Sequence, residues 1–190
     1  MQNSEQNEIG GGTIKGKRMT KEERIELTKK LIKDFKVYRV YSEDSIVELT
    51  LNNILEMGYG HLAFTPQHLQ PDGSPYPTSF AVCLRKPRDP LIVIYKDDYD
   101  SQLAFNHELH HVLYLEDYDN GEEVTLDTMT RAEIDADNYA LSRPHKREDA
   151  ERFLCRLRSV LAEIGDEAEP GERAMFEARV ANYEKRLAGA

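Results

Sequence analysis

The chain is short of cysteine, of basic charge and of long apolar stretches, and each shortage removes a class of protein. Its two cysteines, Cys83 and Cys155, stand far apart in 190 residues and fit no C-x-x-C spacing. Neither a zinc ribbon nor a disulfide framework is expected, and both read as reduced, partly buried thiols. No apolar run approaches the roughly 20 residues that span a bilayer, so no membrane association is expected. The opening "MQNSEQNEIGGGTIKGKRM" lacks the apolar core of a secretory signal, which leaves the cytoplasm as the expected location. Lysine and arginine number 25 against 35 aspartates and glutamates, a formal net charge of −10. Phosphate binding needs a basic face, so direct nucleic-acid binding is not expected. No helix-turn-helix pattern and no internal repeat are evident. A basic protein partner stays open.

What is present reads as α+β. Residues 1–18 are polar, contain Gly10-Gly11-Gly12, and read as a flexible tail. Thr20 and Glu23 stand at capping-box spacing, and Ile25, Leu27, Leu31, Ile32 and Phe35 predict a helix over about 21–36. Ser45 and Glu48 repeat that spacing inside "SEDSIVELTLNNILEMGYG" (42–60), which reads as a second helix ended by Gly58 and Gly60. "FTPQHLQPDGSPYP" (64–77) is a loop. "SFAVCL" (79–84) and "LIVIY" (91–95) read as two strands joined by a charged turn. Two helical patterns follow, over about 101–116 and 128–143, separated by the acidic loop 117–123. The last pattern pairs Phe153, Leu157, Leu161 and Ile164 with Phe176, Val180, Tyr183 and Leu187 across "GDEAEPGE" (165–172), which predicts an αα-hairpin.

The chemistry concentrates in "SQLAFNHELHHVLYLE" (101–116). Three of the six histidines lie within 107–111, with Glu108 between them. On a helix His107 and His111 share one face, one turn apart, and can bind a single zinc ion. Glu108 is poorly placed as a ligand but can reach a water at the metal. This is the H-E-x-x-H pattern of zinc peptidases. A catalytic zinc takes three protein ligands and keeps one position open. Glu116 would point to another side of the helix. Glu133, on the next predicted helix, is the better third ligand. Asp137, one turn on, is an alternative ligand or an acceptor for a ligand's ring N–H.

"FNHELHHVLYLE" followed by "EIDADNYALS" resembles the ImmA/IrrE family of metallopeptidases, which carries H-E-x-x-H and then E-x-x-A-[ND]-x-[FY]-A. Glu133, Ala136, Asp137, Tyr139 and Ala140 fill the second pattern in order. The resemblance covers about residues 40–143. It implies a minimal zincin-like core with a small antiparallel β-sheet packed on helices, Zn2+ held by His107, His111 and Glu133, and Glu108 as general base. It also implies an intracellular endopeptidase whose protein substrate is a DNA-binding transcriptional repressor, often of a phage or mobile element. The family has glycine where this chain has His110, so the packing behind the site must differ. His110 is expected to fill surface, with substrate contact as the alternative. Tyr139, His110, His61 and His68 are all candidates for the oxyanion donor, and nothing in the sequence chooses among them.

The expected organisation is a tail (1–18), a zincin-like domain (19–145) and the C-terminal hairpin (146–190). The strand "LIVIY" is a candidate edge for pairing with an extended substrate, or an interior strand. The reading opposed to a peptidase is a non-catalytic zincin-fold binding or regulatory module. The intact Glu108 argues against it, because a structural site has no use for a general base.

Overall fold

The computed structural model describes residues 13–14, 17–18, 20–57, 69–83, 90–114, 125–164 and 170–189. They fall into two compact units, one of Met1–Phe35 with Leu49–Tyr76 and one of Lys36–Glu48 with Pro77–Ala190.

In the first unit, β1 (Thr13–Ile14) pairs antiparallel with β2 (Lys17–Arg18), so part of the predicted tail is ordered as a ribbon. Residues 1–12 lie outside the described residues. Helix α1 (Lys21–Ile32) starts at the expected box. The Glu23 N–H donates to Thr20 Oγ1 at 3.1 Å and the Thr20 N–H to Glu23 Oε2 at 2.7 Å. It ends earlier than the predicted 36, because Phe35 begins a strand. Helix α2 (Leu51–Met57) follows Thr50, whose Oγ1 accepts the Asn53 N–H at 3.2 Å. The loop keeps its Asp-Gly turn. Gly73 has φ +79°, a conformation that favours glycine, and Asp72 Oδ1 accepts the Ser74 N–H at 2.8 Å.

The second unit carries a four-stranded antiparallel sheet in the order β4-β3-β6-β5, with β3 (Phe35–Ser42), β4 (Ser45–Leu49), β5 (Phe80–Cys83) and β6 (Pro90–Tyr95). β3 and β4 overturn the single helix expected over 42–60. The segment from Phe35 to Tyr41 is β-branched and aromatic, with Phe35, Val37 and Val40 buried. Ser42 to Ser45 then turn the chain, and the Ser45–Glu48 spacing that mimics a capping box belongs to a strand. The real helix start is Thr50.

β6 is interior, flanked by β3 and β5, and Leu91, Ile92, Val93 and Ile94 are buried on both faces. "LIVIY" is therefore not the edge. Among the described residues the edge beside it is β5, in the register Phe80↔Val93 and Val82↔Leu91.

Four helices complete this unit: α3 (Gln102–Leu113), α4 (Leu126–Ser142), α5 (Arg147–Ile164) and α6 (Pro170–Ala188). Ser101 caps α3 by accepting the Ala104 N–H at 3.2 Å, and Thr125 caps α4. α3 packs on β5 and β6 with one face and on α4 with another, while α6 packs on both α4 and α5. Val40, Ile92, Ile94, Leu109 and Val112 form the core between sheet and α3. Leu103, Ala140, Ala150, Leu154, Leu157 and Tyr183 form the core among the helices. The hairpin predicted as a separate appendage thus lies in the same unit as α3 and α4. Among the described residues, no helix is long and apolar enough to cross a membrane.

Candidate metal centre

α3 is held rigidly by the sheet below it and α4 beside it, and this fixes its polar face. His107 and His111 stand one turn apart, with Nε2 atoms 3.2 Å from each other. α4 brings Glu133 against both rings: Oε1 lies 3.3 Å from His111 Nε2, and Oε2 lies 3.5 Å from His107 Nε2. A tetrahedral zinc with bonds of about 2.0–2.1 Å has ligand atoms about 3.3 Å apart. The three side chains therefore already stand at the separations the metal requires, with imidazole nitrogen and carboxylate oxygen as donors. All their candidate ligand atoms lie within 4.8 Å of one another.

Asp137, the alternative ligand, sits behind the cluster and is fully buried. Its Oδ1 is 2.9 Å from His107 Nδ1, on the far side of the ring from Glu133. The approach is oblique, so this is an ion-pair contact without an aligned hydrogen bond. Asp137 thus orients His107 and does not share its Nε2.

Arg179 of α6 completes the arrangement. Its Nε donates to Asp137 Oδ2 at 2.8 Å and its Nη2 to Asp137 Oδ1 at 2.9 Å, while Nη1 meets Glu133 Oε2 at 2.5 Å. The Tyr183 hydroxyl adds a longer bond to Asp137 Oδ1 at 3.4 Å. Phe153 of α5 stacks on Tyr183 and lies 5.8 Å from the His107 ring. None of these three was singled out from the sequence as a site residue. One signal was available: Arg179 falls inside the apolar stripe of α6, three residues after Phe176 and one before Val180.

The cluster's ionisation follows from this crowding. Burial pushes the His107 imidazole down, but Asp137 and Glu133 outweigh it and raise its pKa to about 10. Burial pushes Glu133 up, and the two histidines with Arg179 pull it well below the usual carboxylate range. Glu108 is buried next to them and goes the other way. Burial raises it, and the attractions of His107 and His111 only partly offset that.

His107, Glu108, His111 and Glu133 all face one cavity of about 850 Å³. The edge strand contributes Phe80 and Ala81 to its wall, α5 contributes Phe153, Leu157 and Val160, and α6 contributes Phe176.

Other expected residues lie elsewhere. Neither Tyr139 nor His110 lines this cavity. The Tyr139 hydroxyl donates to Glu43 Oε1 at 3.2 Å, and the same carboxylate pairs with Arg143. Burial and Glu43 raise the Tyr139 phenol to about 12, against the opposing pull of Arg143. His110 is buried, not surface filling. It stacks on Tyr114 with centroids 4.6 Å apart and lies 5.2 Å from Tyr139. His110, Tyr114 and Tyr139 thus form an aromatic cluster at the contact of α3 with α4. Cys155 is exposed, contrary to the expected partial burial, and the Cys83 side chain lies outside the described residues. His61, His68, Glu116 and the loop 117–123 also lie outside them.

No family model matches the chain, no curated protein matches its sequence and no solved structure matches its fold.

Proposed function

We propose that the chain is a zinc-dependent endopeptidase of the ImmA/IrrE type. The observation that carries this reading is the convergence of His107 Nε2, His111 Nε2 and the Glu133 carboxylate at tetrahedral spacing, beside a buried Glu108 and at the wall of a large cavity. A donor set of two imidazoles and one carboxylate suits Zn2+, which when bound polarises a carbonyl and acidifies water.

The chain's own residues have distinct roles in this reading. Glu108 takes the proton from the attacking water and passes it to the leaving amine. Its raised pKa suits a group that must hold that proton between the two steps. The Asp137 carboxylate, 2.9 Å from His107 Nδ1, favours a proton on that nitrogen and leaves Nε2 for the metal. β5, the last strand of the sheet among the described residues and next to the cavity, is the strand an extended peptide would pair with in this reading. The two phenol and imidazole candidates within the described residues, Tyr139 and His110, are not placed to stabilise an oxyanion from where they sit. The substrate in this reading is a DNA-binding repressor, whose basic surface would complement a net charge of −10. Such a reaction belongs in the cytoplasm.

The test is zinc content together with cleavage. Purified wild type should carry about one zinc per chain. Glu108→Gln should keep the zinc and lose cleavage of candidate repressors. A zinc-loaded Glu108→Gln protein that cleaves at the wild-type rate would end this mechanism. Zinc without cleavage of any partner by wild type would favour the binding-module reading.

A further inference from the structure

We propose that Arg179 is the positioning residue of the metal centre, which makes the C-terminal hairpin a working part of the site. The inference rests on the metal reading above and extends it to a helix outside the ImmA/IrrE resemblance.

One guanidinium reaches two of the three ligands. It touches Glu133 directly at Oε2, and it holds His107 through Asp137, which it grips with two parallel N–H donors. Glu133 Oε2 is thereby occupied, and Oε1 is the oxygen turned to His111. The geometry calls for arginine in particular. A planar fork can serve three oxygens on two carboxylates at once, whereas an ammonium is a single point of charge. Arg179 is itself buried at 7% exposure, and Asp137 is at 0%. A buried ion pair of this kind is a poor route to stability, since apolar side chains of similar volume serve as well or better. The alternation of Phe176, Val180, Tyr183 and Leu187 shows that α6 has an apolar face available at this point. A charge kept there is better explained by what it holds.

A second physical role for Arg179 has the opposite sign, which makes the proposal testable. As a mere counter-charge it would repel a divalent cation, and its removal would tighten zinc binding. As a positioning residue its removal frees Glu133 and Asp137 to move, and zinc binding weakens.

The experiment measures zinc affinity of the full chain by competition with a chromophoric chelator, and the visible absorption of the cobalt-substituted protein. Wild type is compared with Arg179→Met and Arg179→Lys. Loss of a group that orients metal ligands costs about 10–100-fold in affinity. We expect that loss in Arg179→Met, partial recovery in Arg179→Lys, and a changed cobalt spectrum as Glu133 alters its coordination. Unchanged or tighter zinc binding in Arg179→Met, with the wild-type cobalt spectrum, overturns the proposal and leaves the metal reading intact. Wild type that binds neither zinc nor cobalt overturns both. Should Arg179→Met fail to fold, the same measurements are made on Arg179→Met with Asp137→Asn, which removes the stranded charge, against Asp137→Asn alone. A loss of about tenfold or more then supports positioning, and equal affinity overturns it.

Discussion

Arg156 Nη1 donates to Asp98 Oδ1 at 2.7 Å and so ties the helical wall of the cavity to the turn that follows β6. The other oxygen of Asp98 accepts the Ser79 hydroxyl at 2.9 Å, and Ser79 Oγ in turn accepts the Tyr95 N–H at 3.1 Å. One carboxylate therefore joins α5, the start of the edge strand and the end of the interior strand. Asp98 is 6% exposed, while Arg156 is half-exposed and can return to water if released.

That asymmetry predicts unequal costs. Asp98→Ala leaves Ser79 and Arg156 without their shared acceptor and should cost about 1–3 kcal/mol. Arg156→Gln should cost less than about 1 kcal/mol, as for other partly exposed ion pairs. Urea unfolding of both variants measures the difference. Equal costs would mean that the network does not act through Asp98.

The metal-free protein should show a defined pH profile of stability. His107 has a folded pKa raised from 6.5 to about 10, so its contribution is full below about 6.5 and fades as pH rises toward 10. Glu133 is depressed below 4.5, so its contribution is present above that value and is lost as pH falls through the folded pKa. Glu108, raised by burial, contributes fully below about 4.5 and loses that contribution as pH rises through its folded pKa. His107 and Glu133 therefore favour chelator-treated protein between about pH 4.5 and 6.5, and Glu108 tilts that window toward its acid end. In the zinc-loaded protein His107 is a neutral ligand, and the decline toward pH 10 should shrink. Denaturant midpoints taken across pH 4–10, with and without zinc, check the sign of both slopes.

The helical core gives a prediction that separates the hairpin's docking from its chemistry. Leu154 is 7% exposed and packs with Leu103, Ala140, Ala150 and Tyr183. Leu154→Ala removes buried methyl groups and leaves a cavity, at a cost of about 2–5 kcal/mol. The substitution replaces no ligand and leaves Asp137 and Arg179 in place, so the folded fraction should bind zinc with close to wild-type affinity. A fall in affinity with folded structure retained would show that packing alone sets the ligand geometry.

Local pattern made the candidate metal cluster legible and hid its support. His107 and His111 are read from a four-residue spacing, because helix geometry alone puts them on one face. Glu133 follows from the next helical pattern. The hairpin strands β5 and β6 and the two C-terminal helices are legible for the same reason. The β3–β4 hairpin is not, because Ser45 and Glu48 reproduce a capping spacing and β4, at 5 residues, is short enough to pass for a helix turn. Which strand lies at the edge depends on where β3 inserts, and local pattern carries no such information. Arg179 lies 42 residues along the chain from Asp137, and only the folded arrangement joins them. The burial of His110 depends in part on α4, whose Tyr139 ring lies 5.2 Å away, and the sequence does not show that contact.

Metal binding should also stabilise the unit that carries the site. A ligand at about 100 times its Kd adds about 2.7 kcal/mol when it binds only the folded state. For a unit of this size each kcal/mol raises the midpoint by about 2–4 °C, so zinc should raise the melting midpoint by about 5–10 °C. The gain should vanish in His107→Ala and in His111→Ala, each of which removes one of the two imidazoles. Magnesium, which prefers six oxygen ligands, should give little shift at the same concentration. Differential scanning calorimetry of chelator-treated protein, before and after addition of zinc buffered at about 100 times its Kd, reads this directly. A zinc shift that survives loss of either histidine would place the stabilising metal away from His107, His111 and Glu133.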